Sequence, residues 1–284
     1  MSTVARTFQG RGAVQVDSRL DSSSGDVVWG ENRVASSKRL ARVAGVLYLL
    51  VGILGGFAEG YVEPKMYVAG HAAATAGNVV ANAGLMRIGV VADLLDGTVF
   101  VILAMALYIL LKDVHKSVAR GMLILVALAA GITCLSALFE FEGLRVATGA
   151  VNVAALGTAG SNALVLLLLD SQHYGLLIAQ IFFGLWLAPL GYLAYKSGRF
   201  PKALAILLVA ASVSYLFDML AAFLVPGFDK SIHTLASIVP AVAETWMVGY
   251  LLIVGVRSTS TAGLGDHSSN VDVGGSRPSA DTTD

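Results

Sequence analysis

Long apolar runs separated by short polar segments dominate the chain. The clearest run, LMRIGVVADLLDGTVFVILAMALYILL, covers residues 85–111 and ends at Lys112. About 20 apolar residues, each rising ~1.5 Å along a helix, cover the ~30 Å hydrocarbon core of a bilayer. Five further runs of similar length predict spans, and they lie near residues 40–60, 118–141, 174–195, 203–225 and 232–256. The pattern therefore predicts an all-α polytopic membrane protein, a bundle of six transmembrane helices.

The two ends of the chain lack such runs. Residues 1–37 and 258–284 are rich in Ser, Gly, Asp and other small or polar residues. Such segments cannot bury enough apolar surface to fold alone, so we predict disordered tails on either side of a membrane domain of residues 38–257. No apolar stretch of signal-peptide type follows the basic start, and the first span is expected to act as its own insertion signal.

Two of the predicted connections are longer than the others. Residues 61–84 contain HAAATAGNVVANAGL, whose Ala-rich spacing predicts a short surface helix. The Gly, Ala, Asn and Thr content of residues 143–171 favours a loop, and its apolar run 163–169 is too short to span. We expect this second connection to form an outer lid with a half-buried helix.

The orientation follows from the distribution of positive charge. Most of the 19 Lys and Arg residues fall in the tails or at alternate ends of the spans. The residues nearest the spans are Lys38, Arg39, Arg42, Lys112, Lys116, Arg120, Lys196, Arg199, Lys202 and Arg257. Since Lys and Arg favour the cytoplasmic side, both termini are predicted to be cytoplasmic.

Composition agrees with a membrane protein and excludes several classes of function. The chain is 56% hydrophobic and 13% charged, whereas soluble domains carry about 25% charged residues. Cys134 is the only cysteine, which excludes an intramolecular disulfide framework. The sequence contains no phosphate-binding glycine loop and no basic stripe with interleaved aromatics, so it predicts no cofactor and no nucleic-acid partner. The lipid bilayer is the expected partner.

Ionisable residues inside the predicted spans are the main candidates for function. The second span holds Arg87, Asp93 and Asp96, the fifth holds Asp218 and the sixth holds Glu244. Charged groups at such depth cost roughly 2.5–3.5 kcal/mol each, so they normally face a bundle interior or a wet cavity. From the helical rise, Asp96, Asp218 and Glu244 lie ~20–24 Å from the basic residues at the cytoplasmic ends of their spans. All of them therefore belong to the middle or outer half of the membrane.

Four acids and one base in a dry interior cannot all stay ionised. The leading hypothesis is an outward-facing acidic cavity that binds a cation or small cationic solute, with Arg87 as counter-ion and with transport as an extension of the same hypothesis. The alternative is structural, in which the acids bond to partners such as Tyr215 or Trp246 and hold helices together.

A metal site is a weaker possibility in the sequence. His71, His173 and His233 are predicted at the outer end, with Asp170 three residues before His173. Three imidazoles and a carboxylate suit Zn²⁺ with an open position for water, as in a metal-assisted hydrolase. No pair has the i, i+4 spacing of a metal-binding helix, and two of the three lie in predicted loops, so no metal ligand is assigned.

Small residues recur on the first span. Gly52, Gly56 and Gly60 are four residues apart and share one helix face, where a neighbouring backbone can approach closely. This stripe suggests helix packing or a homo-oligomer contact, and it supports a third hypothesis, a passive structural or accessory membrane subunit.

Several strings resemble a known family. They are RLARVAGVLYLL, AAATAGNVVANAGLMRIGVVADLL, LYILLKDVHKSVA and HYGLLIAQIFFGLWLAPLGYLAYKSGRFPKALAILLVAASVSYLFD. Together they resemble the bacterial membrane family catalogued as domain of unknown function 4386, over about residues 38–257. The resemblance implies a multi-pass protein of the bacterial plasma membrane. It implies no substrate and no catalytic residue.

Overall fold

A computed structural model describes the backbone of residues 19–225 and 230–257, and the side chains of residues 36–225 and 236–257. This part of the chain is helical and contains no strand. The long helices are α1 (Arg19–Phe57), α4 (Ala83–Leu111), α5 (Lys116–Ala147), α6 (Gly157–Ser197), α7 (Lys202–Leu224) and α8 (Lys230–Ile253). Shorter elements are a π-helix (Ala58–Val62), α2 (Glu63–Met66), α3 (Ala72–Ala81) and a 3₁₀ turn (Ala154–Leu156).

Six of the described helical segments are long and apolar enough to cross a membrane. They are Ser36–Met66, Ala83–Leu111, Lys116–Ala147, Ala154–Ser197, Lys202–Leu224 and Ala236–Ile253. The prediction of an all-α bundle with six spans is confirmed.

The long helices pack as a closed ring. Each contacts the next in the order α1, α4, α5, α6, α7, α8, and α8 returns to α1. Short connections at residues 112–115 and 198–201 mark one end of the bundle, which we call the basic end because Lys112, Lys116 and Arg199 lie there. The opposite end carries α2, α3 and the connection 148–156, and we call it the α3 end.

Two apolar cores hold the ring together. The larger surrounds Trp186, Leu103 and Leu190 and extends to the basic end. The smaller lies at the α3 end around Met86 and Leu144.

The connection between α5 and α6 is shorter than the sequence predicts. Helix α5 continues to Ala147 and α6 begins at Gly157, so the predicted lid over 143–171 is wrong for most of its length. The reason is tertiary packing: Leu169 and Val165 are buried, and a Cβ on Gly143 would collide with the Leu169 side chain. This burial overrides the weak helix propensity of the segment.

The predicted short helix in the connection 61–84 is confirmed as α3. It is less superficial than expected, because Thr75, Ala76 and Val79 are buried. The Thr75 hydroxyl donates to the carbonyl of Val68 at 3.1 Å and accepts from its amide at 3.1 Å, which fixes the turn before the helix.

The ends of the chain are only partly described. Helix α1 begins at Arg19, inside the segment 1–37 that the sequence predicts as a tail. The remainder of that prediction, residues 1–18, and the predicted tail 258–284 lie outside the described residues.

The glycine stripe does not pack inside the bundle as expected. A Cβ added at Gly52, Gly56 or Gly60 would meet nothing within 4 Å. The close helix contact occurs elsewhere, between α6 and α7. There a Cβ on Gly191 would lie 2.7 Å from the carbonyl oxygen of Ala205, and one on Gly184 would lie 3.2 Å from that of Ser212.

We therefore expect Gly191→Val to lower thermal stability in detergent, because the new side chain would meet backbone that cannot move aside. Overpacking of this kind costs roughly 1–3 kcal/mol. Gly52→Ala is the matched control and should not lower the melting temperature. Equal melting temperatures for the two variants would contradict the close contact between α6 and α7.

Candidate functional site

A cavity of about 320 Å³ opens between α1, α4, α6, α7 and α8. It extends from Glu63 and His173 at the α3 end to Phe100 and Trp186 near the middle of the bundle. The residues that line it are Val51, Gly52, Gly55, Gly56, Glu59, Glu63, Asp96, Phe100, His173, Leu176, Leu177, Gln180, Phe183, Trp186, Tyr215 and Glu244. Four carboxyl groups thus face one space, and the described lining contains neither Lys nor Arg.

Helix α1 forms one wall, and its glycines make the room. Gly52 and Gly56 line the cavity without a side chain to fill it. Just beyond them the helix widens into the π-helix Ala58–Val62, which carries Glu59 into the lining. Single π-turns within α-helices are frequent at functional sites. The glycine stripe on the first span therefore shapes a cavity.

Asp96 is a buried carboxyl of the lining. Its side chain is 6% exposed, and its Oδ1 atom has no hydrogen-bond partner among the described residues. It faces α1, where a Cβ on Gly55 would lie 3.8 Å from the Asp96 carboxyl. The buried Gln180 Oε1 atom in the same lining also has no described partner. A buried acceptor without a partner costs about 1–3 kcal/mol, so these atoms point to a further occupant of the cavity.

Glu244 is held by two tyrosines from different helices. The Tyr48 hydroxyl donates to Oε2 at 2.9 Å, and the Tyr215 hydroxyl donates to Oε1 at 3.0 Å. These bonds tie α8 to α1 and α7 and keep both carboxyl oxygens directed into the bundle. The bond from Tyr215 is the one that the structural alternative anticipates.

Aromatic rings close the inner end of the cavity. The Phe100 and Trp186 rings meet edge to face at 5.1 Å, and Phe100 lies 5.6 Å from Phe183. Tyr48 lies 5.6 Å from Trp186 on the far side. We call Tyr48, Phe100, Phe183 and Trp186 the aromatic floor, and these residues form part of the larger apolar core or pack against it.

Two side-chain pairs join the segment after α1 to α6 at the cavity mouth. His173 Nδ1 lies 2.6 Å from Glu63 Oε1, and the Tyr67 hydroxyl donates to Asp170 Oδ1 at 2.6 Å. The Tyr67 and His173 rings stack at 5.1 Å. Burial, followed by the hydrogen bond to Asp170, raises the pKa of Tyr67, so the phenol remains a donor throughout the neutral range.

A pair of carboxyl groups lies outside the cavity lining, between α4 and α5. The side chains of Asp93 on α4 and Glu140 on α5 are hydrogen-bonded to each other. They are 3% and 6% exposed. Neither belongs to the cavity lining, although Asp93 is one helical turn from Asp96.

The structure brings together only part of the predicted site. Asp96 and Glu244 face the same cavity, whereas Asp93 turns to Glu140. Asp218 is buried near Tyr215 and is not part of the described lining. Arg87 is exposed and forms none of the ion pairs found between described residues, so the structure does not support it as the counter-ion. Its position near the start of α4, beyond both aspartates, explains this separation.

The weak metal candidates are also separated. His173 is engaged with Glu63, and Asp170 with Tyr67. His71 is exposed before α3, and the side chain of His233 lies outside the described residues. Within the described side chains, no group of three or more His, Cys, Asp or Glu is placed to hold a metal ion.

Sequence reasoning missed several residues of this region. The sequence pattern does not single out Glu59, Glu140, Glu63 or Tyr48. The length of the helices is the reason: the first span reaches Met66 and α5 reaches Ala147, so Glu140 is buried within α5, and Glu59 and Glu63 reach the cavity lining. The repeat of Gly52 and Gly56 before Glu59 was the sequence signal for the place of Glu59 in the cavity lining.

Comparison with known proteins identifies one related family. A family model described as Domain of unknown function (DUF4386) matches residues 43–255, well over half of the chain. No curated protein and no solved structure matches the sequence.

The two hydrogen bonds that Glu244 accepts from Tyr48 and Tyr215 lead to a stability prediction. The double variant Tyr48→Phe, Tyr215→Phe should unfold at lower temperature in detergent, because a largely buried carboxyl loses both donors. Each unmade bond costs about 1–3 kcal/mol. The exposed Tyr192→Phe is the control, and a double variant as stable as Tyr192→Phe would show that these bonds do not support the fold.

Proposed function

We propose that this chain, which belongs to the DUF4386 family, is a multi-pass membrane protein that binds a small organic cation in the cavity between α1, α4, α6, α7 and α8. The ligand class is an organic ammonium ion. The residues assigned to it are Asp96, Glu59 and Glu244 as the anionic wall and Phe100 and Trp186 as the apolar end.

The observation that carries this proposal is the carboxyl of Asp96. It is buried, it faces an open cavity, and one of its oxygens lacks a partner among the described residues. A buried anion without compensation is costly, and a bound cation supplies that compensation. Glu59, Glu63 and Glu244 in the same lining increase the preference for positive charge.

The size and lining of the cavity favour an organic cation. A volume of about 320 Å³ falls at the lower end of the range of small-molecule pockets. The rings of the aromatic floor offer faces and edges to an alkylammonium group, and cation–π contacts contribute ~0.5–2 kcal/mol. Carboxylates at one side and aromatic rings at the other match an ammonium head with an apolar periphery.

The membrane and the orientation belong to the same proposal. The family resemblance supports the plasma membrane of a bacterium, and the charge at the basic end supports cytoplasmic termini. In that orientation the cavity opens to the outside. Transport would additionally require the aromatic floor to open toward the basic end.

Choline and its uncharged isostere 3,3-dimethylbutan-1-ol test the requirement for positive charge. We expect choline to bind to the purified protein in detergent and to raise its melting temperature. The neutral isostere should bind at least about tenfold more weakly, because it lacks the attraction to the carboxyl wall. The measurement is isothermal titration calorimetry together with thermal denaturation.

The double variant Asp96→Asn, Glu244→Gln should abolish the stabilisation by choline. Glu142→Gln is the matched control, because Glu142 lies at the α3 end in an ion pair with Arg145, away from the cavity lining. Equal binding of choline and its isostere would refute a cation site, as would full choline binding by the double variant.

A bulky residue at Gly56 tests the location of the site. Gly56→Leu adds a side chain to the cavity wall at a position where a Cβ meets no neighbour within 4 Å. We expect choline binding to be lost while the melting temperature without ligand is retained. Undiminished binding in this variant would place the site elsewhere.

A further inference from the structure

We propose that Asp93 and Glu140 form a proton-binding site that releases its proton when the organic cation binds beside Asp96. This inference rests on the proposed function and adds proton exchange to it. The protein would then bind its ligand more tightly as pH rises.

The first step of the argument is the chemistry of the pair. Asp93 and Glu140 are hydrogen-bonded through their carboxyl groups. An ionised carboxylate only accepts hydrogen bonds, so a bond between two carboxyls requires a proton on one of them. Two neighbouring acids that share a site titrate as a unit. The pair therefore holds one exchangeable proton in the described arrangement.

The second step is the burial of the pair. Asp93 and Glu140 are 3% and 6% exposed, and they join α4 to α5. The ion pair of Arg145 with Glu142 and the contact of His173 with Glu63 do not include them. The shared proton therefore takes the place that a cationic side chain would occupy in a buried ion pair.

The third step is the position of the pair next to the cavity. Asp93 and Asp96 are three residues apart on α4, so they are neighbours on one helix face. The titratable groups that interact with the pair are Asp96 on α4, Cys134 on α5, Glu59 in the π-helix and Glu63 on α2. From α6, His173 reaches this group through its contact with Glu63. All the carboxyls among them repel further negative charge.

The exchange balances charge within this cluster. When a cation enters beside Asp96, it stabilises negative charge nearby. The O–H bond of the protonated carboxyl then breaks, the electron pair stays on the carboxylate, and the proton leaves to water. One positive charge replaces another, so the buried cluster keeps the same net charge throughout the exchange.

Choline is a suitable probe because its ammonium charge does not change with pH. Titration of the purified full-length protein between pH 6 and pH 8 should show choline affinity rising by up to about tenfold per pH unit, which corresponds to one proton released. In weak buffer, a pH indicator should record up to one proton released per choline bound. The variants Asp93→Asn and Glu140→Gln should flatten the pH dependence, whereas Glu142→Gln should retain it.

The outcomes separate this inference from the function on which it rests. Absence of choline binding at every pH would overturn the proposed function. Binding of choline with no proton release and a constant affinity would overturn the proton site alone. An unchanged pH dependence in both Asp93→Asn and Glu140→Gln would also overturn it. Should one of these variants fail to fold, the other one, compared with Glu142→Gln, still decides the question.

Discussion

The arrangement of this protein depends on how an apolar helical bundle accommodates buried carboxyl groups. Three solutions occur close together. Glu244 receives hydroxyl donors from Tyr48 and Tyr215, and Asp93 shares a hydrogen bond with Glu140. Asp96 faces a cavity with one oxygen unpartnered among the described residues. The first two arrangements tie helices together, and the third leaves a buried acceptor, on which the proposed cation site rests. The fold and the proposed function therefore depend on the same cost of burying carboxyl groups.

The cavity exists because of the backbone of the first span. Gly52 and Gly56 leave space where any other residue would place a side chain, and the π-helix that follows turns Glu59 toward that space. The aromatic floor limits the depth, so polar and apolar surfaces meet across a short distance. Such a combination is suited to an alkylammonium ion, whose charge and methyl groups need different surroundings.

In the proposed exchange, a cation site lies beside a protonated carboxyl pair. Each positive charge is favourable near the cluster, and two together are less favourable than one. This competition requires no large rearrangement of the ring, because Asp93 and Asp96 are already neighbours on α4. The mouth contacts, Glu63 with His173 and Tyr67 with Asp170, hold the segment after α1 in place above the cluster. The basic end needs no part in this chemistry.

The sequence by itself determined the fold class, because apolar runs of membrane length have few alternatives to forming helices in lipid. It also predicted the depth of Asp96 and Glu244 in the membrane, since their distance along each span follows from helical rise. Only the tertiary structure decided which side chains meet. Rotation about each helix axis directed Asp93 to Glu140, left Arg87 exposed and opened the glycine face to a cavity. That rotation is set by contacts between helices, and residue spacing within one helix does not encode it.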